Sequence, residues 1–92
     1  FSDPCWDILM DVFSARLNDK NISVSAVATA GNMPHTTGLR YIDTLEKIGY
    51  IYRERDDWDG RRIFVKMTDD TFRMMKEYFV RVLQKSQEYR YS

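Results

Sequence analysis

The apolar residues of this chain keep two different periods, and the order of those periods narrows the fold more than any other feature. Up to Ile48 they recur every three or four residues, from Tyr50 to Met67 they alternate, and after Thr68 the helical spacing returns. A helical block, a hairpin and a closing helix make a mainly helical α+β domain. Ser2 or Asp3 as a cap, with Pro4 in the first turn, predicts a helix from about Asp3 to Leu17. Cys5, Ile8, Leu9, Val12, Phe13 and Leu17 share its core stripe, while Asp7, Asp11 and Arg16 take other faces.

Asn18-Asp19-Lys20-Asn21 is a polar break, after which Ile22 suits a very short strand and Ser23 or Ser25 can cap a short second helix. Val24, Val27 and Ala28 point inward there, and Gly31-Asn32 offers the left-handed conformation that ends helices. Pro34 fits the first position of a third helix, which carries Leu39, Ile42, Leu45 and Ile48 at three-residue steps before Gly49 stops it. Two helices joined across Gly31-Asn32-Met33 form a helix-turn-helix, with His35, Thr36, Thr37, Arg40, Tyr41 and Thr44 on the free face of the second.

Ile51, Arg53 and Arg55 alternate with Tyr52 and Glu54, and Ile63, Val65 and Met67 with Phe64 and Lys66. These two strands flank the turn-rich Asp56-Asp57-Trp58-Asp59-Gly60. Thr68-Asp69-Asp70 supplies a cap hydroxyl and the acidic first turn that the helix dipole favours, and the last helix runs to about Glu88. Phe72, Met75, Phe79 and Leu83 line one side of it, whereas Met74, Tyr78 and Val82 mark a neighbouring side, so the apolar arc is too wide for one core. The 92 residues therefore form one winged helix-turn-helix domain: helix-turn-helix about 24–48, a two- or three-stranded wing about 50–67, and a C-terminal helix about 69–88.

The stretch Thr36-Thr37-Gly38-Leu39-Arg40-Tyr41-Ile42-Asp43-Thr44-Leu45-Glu46-Lys47-Ile48-Gly49-Tyr50-Ile51 and the wing Asp59-Gly60-Arg61, followed by Met67-Thr68, resemble the MarR-like regulators over roughly Ile22 to Thr71. The resemblance implies a bacterial-type transcription regulator with its third helix in the major groove and its wing arginine near the minor groove. Only one helix precedes the helix-turn-helix here, and Gly60 occupies a place where the family often has a basic residue.

The side-chain chemistry points the same way. Arginine can donate two hydrogen bonds to guanine O6 and N7, and Arg40 is placed to be the base reader. Thr36 and Thr37 in the first turn suit a phosphate or a base edge. Arg61 and Arg62 at the wing tip, with Arg53 and Arg55 on the incoming strand, suit phosphates and the minor groove, and Asp59 can hold the Arg61 guanidinium. His35 fits a surface or DNA-backbone position. Asp43 and Glu46 are expected to pair with Lys47 or face solvent. Trp58 is expected to fold back on the hairpin, the alternative being contact with a sugar or a partner protein.

Charge limits this reading. Fourteen basic residues balance fourteen acidic ones, so bulk attraction cannot drive binding to a polyanion. From Met33 to Met67 the seven cations (Arg40, Lys47, Arg53, Arg55, Arg61, Arg62, Lys66) barely exceed the six anions (Asp43, Glu46, Glu54, Asp56, Asp57, Asp59). Weak monomer affinity follows, and a homodimer through Met74, Tyr78 and Val82 of the C-terminal helix would double the contacts.

Other functions find little footing. Cys5 and His35 are the only residues of their types, and no Gly-rich phosphate loop or paired metal-ligand motif occurs, so no enzyme, metal or cofactor is expected. A calcium loop aligned on Asp57, Asp59 and Gly60 would put Arg55 and Lys66 at ligand positions. A small-molecule effector has no support in the sequence. The lone Cys5 excludes an internal disulfide, is expected to pack as a small apolar residue, as are Met74 and Met75, and suits a reducing cytoplasm. Apolar runs stop at three residues, against the roughly 20 of a membrane span. The chain begins without Met or a signal-like segment and is expected to be an excised domain. The rival function is a winged-helix protein-interaction module of a larger protein, without DNA binding, for which exposed Tyr41, Tyr50, Tyr52 and Trp58 would serve.

Overall fold

The structure, a computed structural model, describes residues 3–30 and 33–91. Its elements follow the expected order: α1 (Asp3–Leu17), β1 (Ile22–Ser23), α2 (Val24–Thr29), α3 (His35–Ile48), β2 (Ile51–Arg55), β3 (Ile63–Met67) and α4 (Asp69–Tyr91). The expected left-handed stop at Gly31-Asn32 and the capping role of Ser2 lie outside the described residues.

Local chemistry accounts for most boundaries. α1 ends where Asp19 turns left-handed at φ 53°, a conformation that a short polar side chain tolerates. The Ser23 hydroxyl caps α2 by accepting from the Ala26 N–H at 3.1 Å. Pro34 stands just outside α3 rather than at its first helical position, with extended ψ 142°, and Gly49 closes the helix at φ 96°. Thr68 places its hydroxyl 3.0 Å from the Gly49 carbonyl and 3.1 Å from that of Tyr50, which ties the start of α4 to the end of α3.

The sheet has three antiparallel strands in the order β1-β3-β2, so the wing is three-stranded. Ile51 faces Met67 and Arg55 faces Ile63 along β2 and β3, while Ile22 pairs with Val65. The core lies between this sheet and the helices: Cys5, Ile8, Leu9, Val12 and Phe13 of α1 meet Val27 and Ala28 of α2, Ile42 and Leu45 of α3, Ile51, Val65 and Met67 of the sheet, and Met75 of α4. Arg16 fastens α1 to this frame. Its guanidinium donates to the Met67 carbonyl at 3.0 Å and to Asp69 at 2.7 Å, and lies 4.1 Å from the centre of the Phe72 ring.

Several expected core positions lie at the surface instead. Leu17 and Ile48 are about half exposed, at 53% and 54%, because each is the last residue of its helix and reaches past the neighbouring element. Leu83 is 64% exposed, at the rim of an open apolar groove that it lines with Met10, Phe13 and Leu17 of α1. Met75 is buried, but Met74 faces outward. Phe64, on the strand face opposite Val65, is buried as well, beneath the side chains of Arg62 and Lys66.

Candidate nucleic-acid interface

α3 presents an outward stripe because its inner face is taken by Gly38, Ile42 and Leu45. His35, Thr36, Arg40 and Thr44 are exposed, whereas Thr37 and Tyr41 are half-buried at the edge, Tyr41 resting against the core. Among the described residues no ion pair or hydrogen bond engages the Arg40 guanidinium, so its five donors remain available. The Thr44 hydroxyl is turned back to the Arg40 carbonyl at 3.0 Å. Lys47 also lies on the exposed side, in line with Thr36, Arg40 and Asp43. It is a candidate contact not singled out from the sequence, although the four-three-four spacing contains it.

The N-terminal end of α3 carries no side-chain cap. Its first hydrogen bond joins the Gly38 N–H to the Pro34 carbonyl at 3.0 Å, so the preceding N–H groups point out of the helix end beside His35 and Thr36. Gly38 itself is the contact point with α2: a Cβ there would fall 2.1 Å from the Ala28 carbonyl oxygen. The second helix of the motif can approach the first this closely only without a side chain at that position.

The wing cations are held in different ways. Arg53 forms an ion pair with Asp43, linking the base of the wing to α3, and Asp43 therefore pairs across elements rather than with Lys47. Arg55 donates to the Gly60 carbonyl at 3.2 Å and closes the hairpin loop. Asp59 accepts from the Arg61 N–H at 3.1 Å and from its guanidinium at 3.2 Å, as the sequence suggested. Those Arg61 hydrogen bonds hold the Asp59 carboxyl below the usual carboxylate range. Arg62 lies over the Phe64 ring, 5.2 Å from its centre. Trp58 does not fold back on the hairpin: it is 97% exposed, because the Asp56 carboxylate accepts the Trp58 N–H at 2.9 Å and fixes a turn that aims the indole away.

On α4, Met74, Tyr78 and Val82 are each about half exposed. Tyr78 stands edge-on to Trp6 of α1, with ring centres 6.3 Å apart, while Val80 and Leu83 lie on another flank of α4, where they line an apolar groove with Met10, Phe13 and Leu17 of α1. His35 and the described acidic residues assemble no group of three or more side chains able to hold a metal ion. No described helix is long and apolar enough to cross a membrane.

The helix-turn-helix followed by a hairpin wing and a long closing helix defines the winged helix-turn-helix class. No family model matches the chain, and no curated protein matches it. Solved structures do. AF1382 from Archaeoglobus fulgidus superimposes with a TM-score of 0.72 at 20% identity, covering 89% of this chain and 87% of that one. S. aureus MepR in its DNA-binding conformation gives 0.75 at 18% identity over 97% of this chain and 63% of its own. The PcaV transcriptional regulator from Streptomyces coelicolor, in complex with its natural ligand, gives 0.66 at 21% identity over 97% and 60%. The chain thus shares the winged-helix fold of these structures, and it spans about three fifths of the length of MepR and PcaV.

Proposed function

We propose that this chain is the DNA-binding part of a MarR-like, non-enzymatic transcription regulator acting in the cytoplasm, with α3 in the major groove and the wing at the backbone or minor groove. The observation that carries the reading is the outward stripe of α3, where an unpaired Arg40 stands between Thr36 at the uncapped helix end and Lys47. MepR, solved in a DNA-binding conformation, shares the fold and supports the same assignment. His35, Thr36, Thr37, Tyr41 and Thr44 position α3, while Arg61 and Arg62 approach phosphates. Asp59 acts through Arg61, and Arg53 and Arg55 chiefly brace the wing.

A homodimer through α4 completes this reading. Met74, Tyr78 and Val82 supply an apolar stripe that one protomer leaves about half exposed. Two recognition helices on one side of the dimer would read half-sites about 34 Å apart.

Selecting bound sequences from a random duplex pool tests the assignment. The expected outcome is one enriched motif whose preference is lost in Arg40→Ala, with a cost of about 1–3 kcal/mol on the preferred site and an unchanged melting temperature. A pool that yields no enrichment, together with binding that ignores salt, would replace this reading with the protein-docking one, because phosphate contacts make affinity fall steeply with salt.

A further inference from the structure

We propose that Trp58 is an apolar DNA contact, seating its indole against deoxyribose and base edges in the minor groove next to the major groove that α3 occupies. The inference rests on the DNA-binding reading and adds to it a residue and a kind of contact that the charge pattern does not supply.

Three observations carry it. First, the indole is 97% exposed on a tip that is already ordered. Asp56 accepts the Trp58 N–H at 2.9 Å, the Arg62 N–H reaches the Asp59 carbonyl at 2.9 Å, the Asp56 N–H reaches the Arg62 carbonyl at 3.0 Å, and Arg55 holds the Gly60 carbonyl. A tip whose backbone is already ordered loses little backbone freedom on binding, and an indole adds only two side-chain torsions, so its burial translates efficiently into affinity.

Second, the reach fits. The Arg53–Asp43 pair sets the base of the wing beside the outer face of α3, and Trp58 lies five residues further on. Glu54 and Arg55 continue the strand at about 3.3 Å per residue and Asp56 to Trp58 make the bend, so the tip stands on the order of 10 Å beyond that pair and the indole adds its own length. A major groove and the minor groove flanking it are separated by roughly 17 Å, half of the helical turn. The tip is therefore the part of the wing that can approach the minor groove when α3 lies in the major one.

Third, the electrostatics leave an apolar contact as what the tip offers beyond Arg61 and Arg62. Arg53 and Arg55 are occupied internally, Asp59 is matched by Arg61, and Asp56 is taken up in the turn, leaving Asp57 as the one tip carboxylate without a partner among the described residues. Arg62, four positions on, has no carboxylate partner among the described residues and supplies the positive charge that a phosphate at the groove edge would meet. Apolar side chains are a recurring means of gripping a minor groove.

The test uses the whole chain carrying Trp6→Phe, so that Trp58 is its only indole, titrated with an end-labelled random duplex whose binding is followed separately by anisotropy. The expected result is that acrylamide quenching of Trp58 falls several-fold on the duplex. Trp58→Ala is expected to weaken binding at least about fivefold with an unchanged salt slope, whereas Arg61→Ala lowers that slope by about one. Trp58→Phe should recover most of the loss. Duplex binding with the indole still fully quenchable overturns this inference and leaves the α3 reading intact. Shielding that grows with protein concentration in the absence of DNA also overturns it, assigning the tip to a second copy. No duplex binding at all overturns both.

Discussion

Gly38 sets the distance between the two helices of the motif, and its role runs against ordinary helix propensity. Replacing a mid-helix glycine with alanine normally stabilises by about 1 kcal/mol. Here the new Cβ would lie 2.1 Å from the Ala28 carbonyl oxygen and 2.7 Å from its Cα, so α2 or α3 has to move. Gly38→Ala is therefore expected to destabilise by at least about 2 kcal/mol in urea unfolding; a gain in stability would show that the helices are not this close. Asp11 offers a pH-dependent counterpart. Burial, and then Asp7 one turn away, raise its pKa above the ordinary aspartate value. The folded chain then holds the proton more tightly than the unfolded one, and stability falls as pH rises from the normal aspartate range through the raised value. Asp11→Asn should raise stability at pH 7 by about 0.2–0.5 kcal/mol, a small gain because the group is partly solvated, and the gain should vanish near pH 3. Thermal melts at the two pH values check this, and an equal gain at both would remove ionisation as the cause.

At the scale of elements, what a sequence discloses depends on how local the cause is. α1 and α3 were legible because a proline near the start, a turn former at the end and apolar residues at helical spacing all act within a few residues. The period also shows which face turns inward, but not how far the neighbouring element covers it, and Leu17, Ile48 and Leu83 were misjudged for that reason. Side-chain ties across the fold were least legible: Arg16 reaches Met67 and Asp69 from more than fifty residues away, and Asp43 selects Arg53 over the adjacent Lys47. The free Arg40 followed from its helical position. The outward Trp58 did not, because a backbone turn rather than a hydrophobic preference decides its direction. The Arg53–Asp43 pair links two elements of the candidate site, so its removal should loosen the wing more than the fold. Arg53→Ala and Asp43→Ala are each expected to cost under about 1 kcal/mol in stability, as exposed pairs do. Amide exchange in β2 should nevertheless quicken while that in α1 stays unchanged. Unaltered exchange in β2 would mean that the pair braces nothing.

For the whole molecule, the open question is what covers α4. The helix has 23 residues, and from Val80 to Glu88 every residue is exposed although Val80, Val82 and Leu83 are apolar. The first half is anchored by Met75 in the core and by Phe72 and Phe79 against Phe13, with ring centres 5.3 and 5.4 Å apart, but the second half extends into solvent. A short helical segment without tertiary cover is marginal in water. A second copy would supply the cover, bury the leftover apolar stripe and offset the chain's lack of net charge by doubling the contacts to one duplex. The expected outcome is a dimer in sedimentation at micromolar concentration, with a melting temperature that rises with protein concentration. Tyr78→Glu combined with Val82→Glu should give a monomer that stays folded at a cost of about 1 kcal/mol, since both side chains are about half exposed and Tyr78 gives up its ring contacts with Trp6 and Phe79. The same variant should bind a single half-site about as well as the parent yet lose the advantage of two half-sites spaced one helical turn apart. A parent that remains monomeric at high micromolar concentration, or a variant that dimerises equally well, would assign the cover of α4 to something other than a second α4.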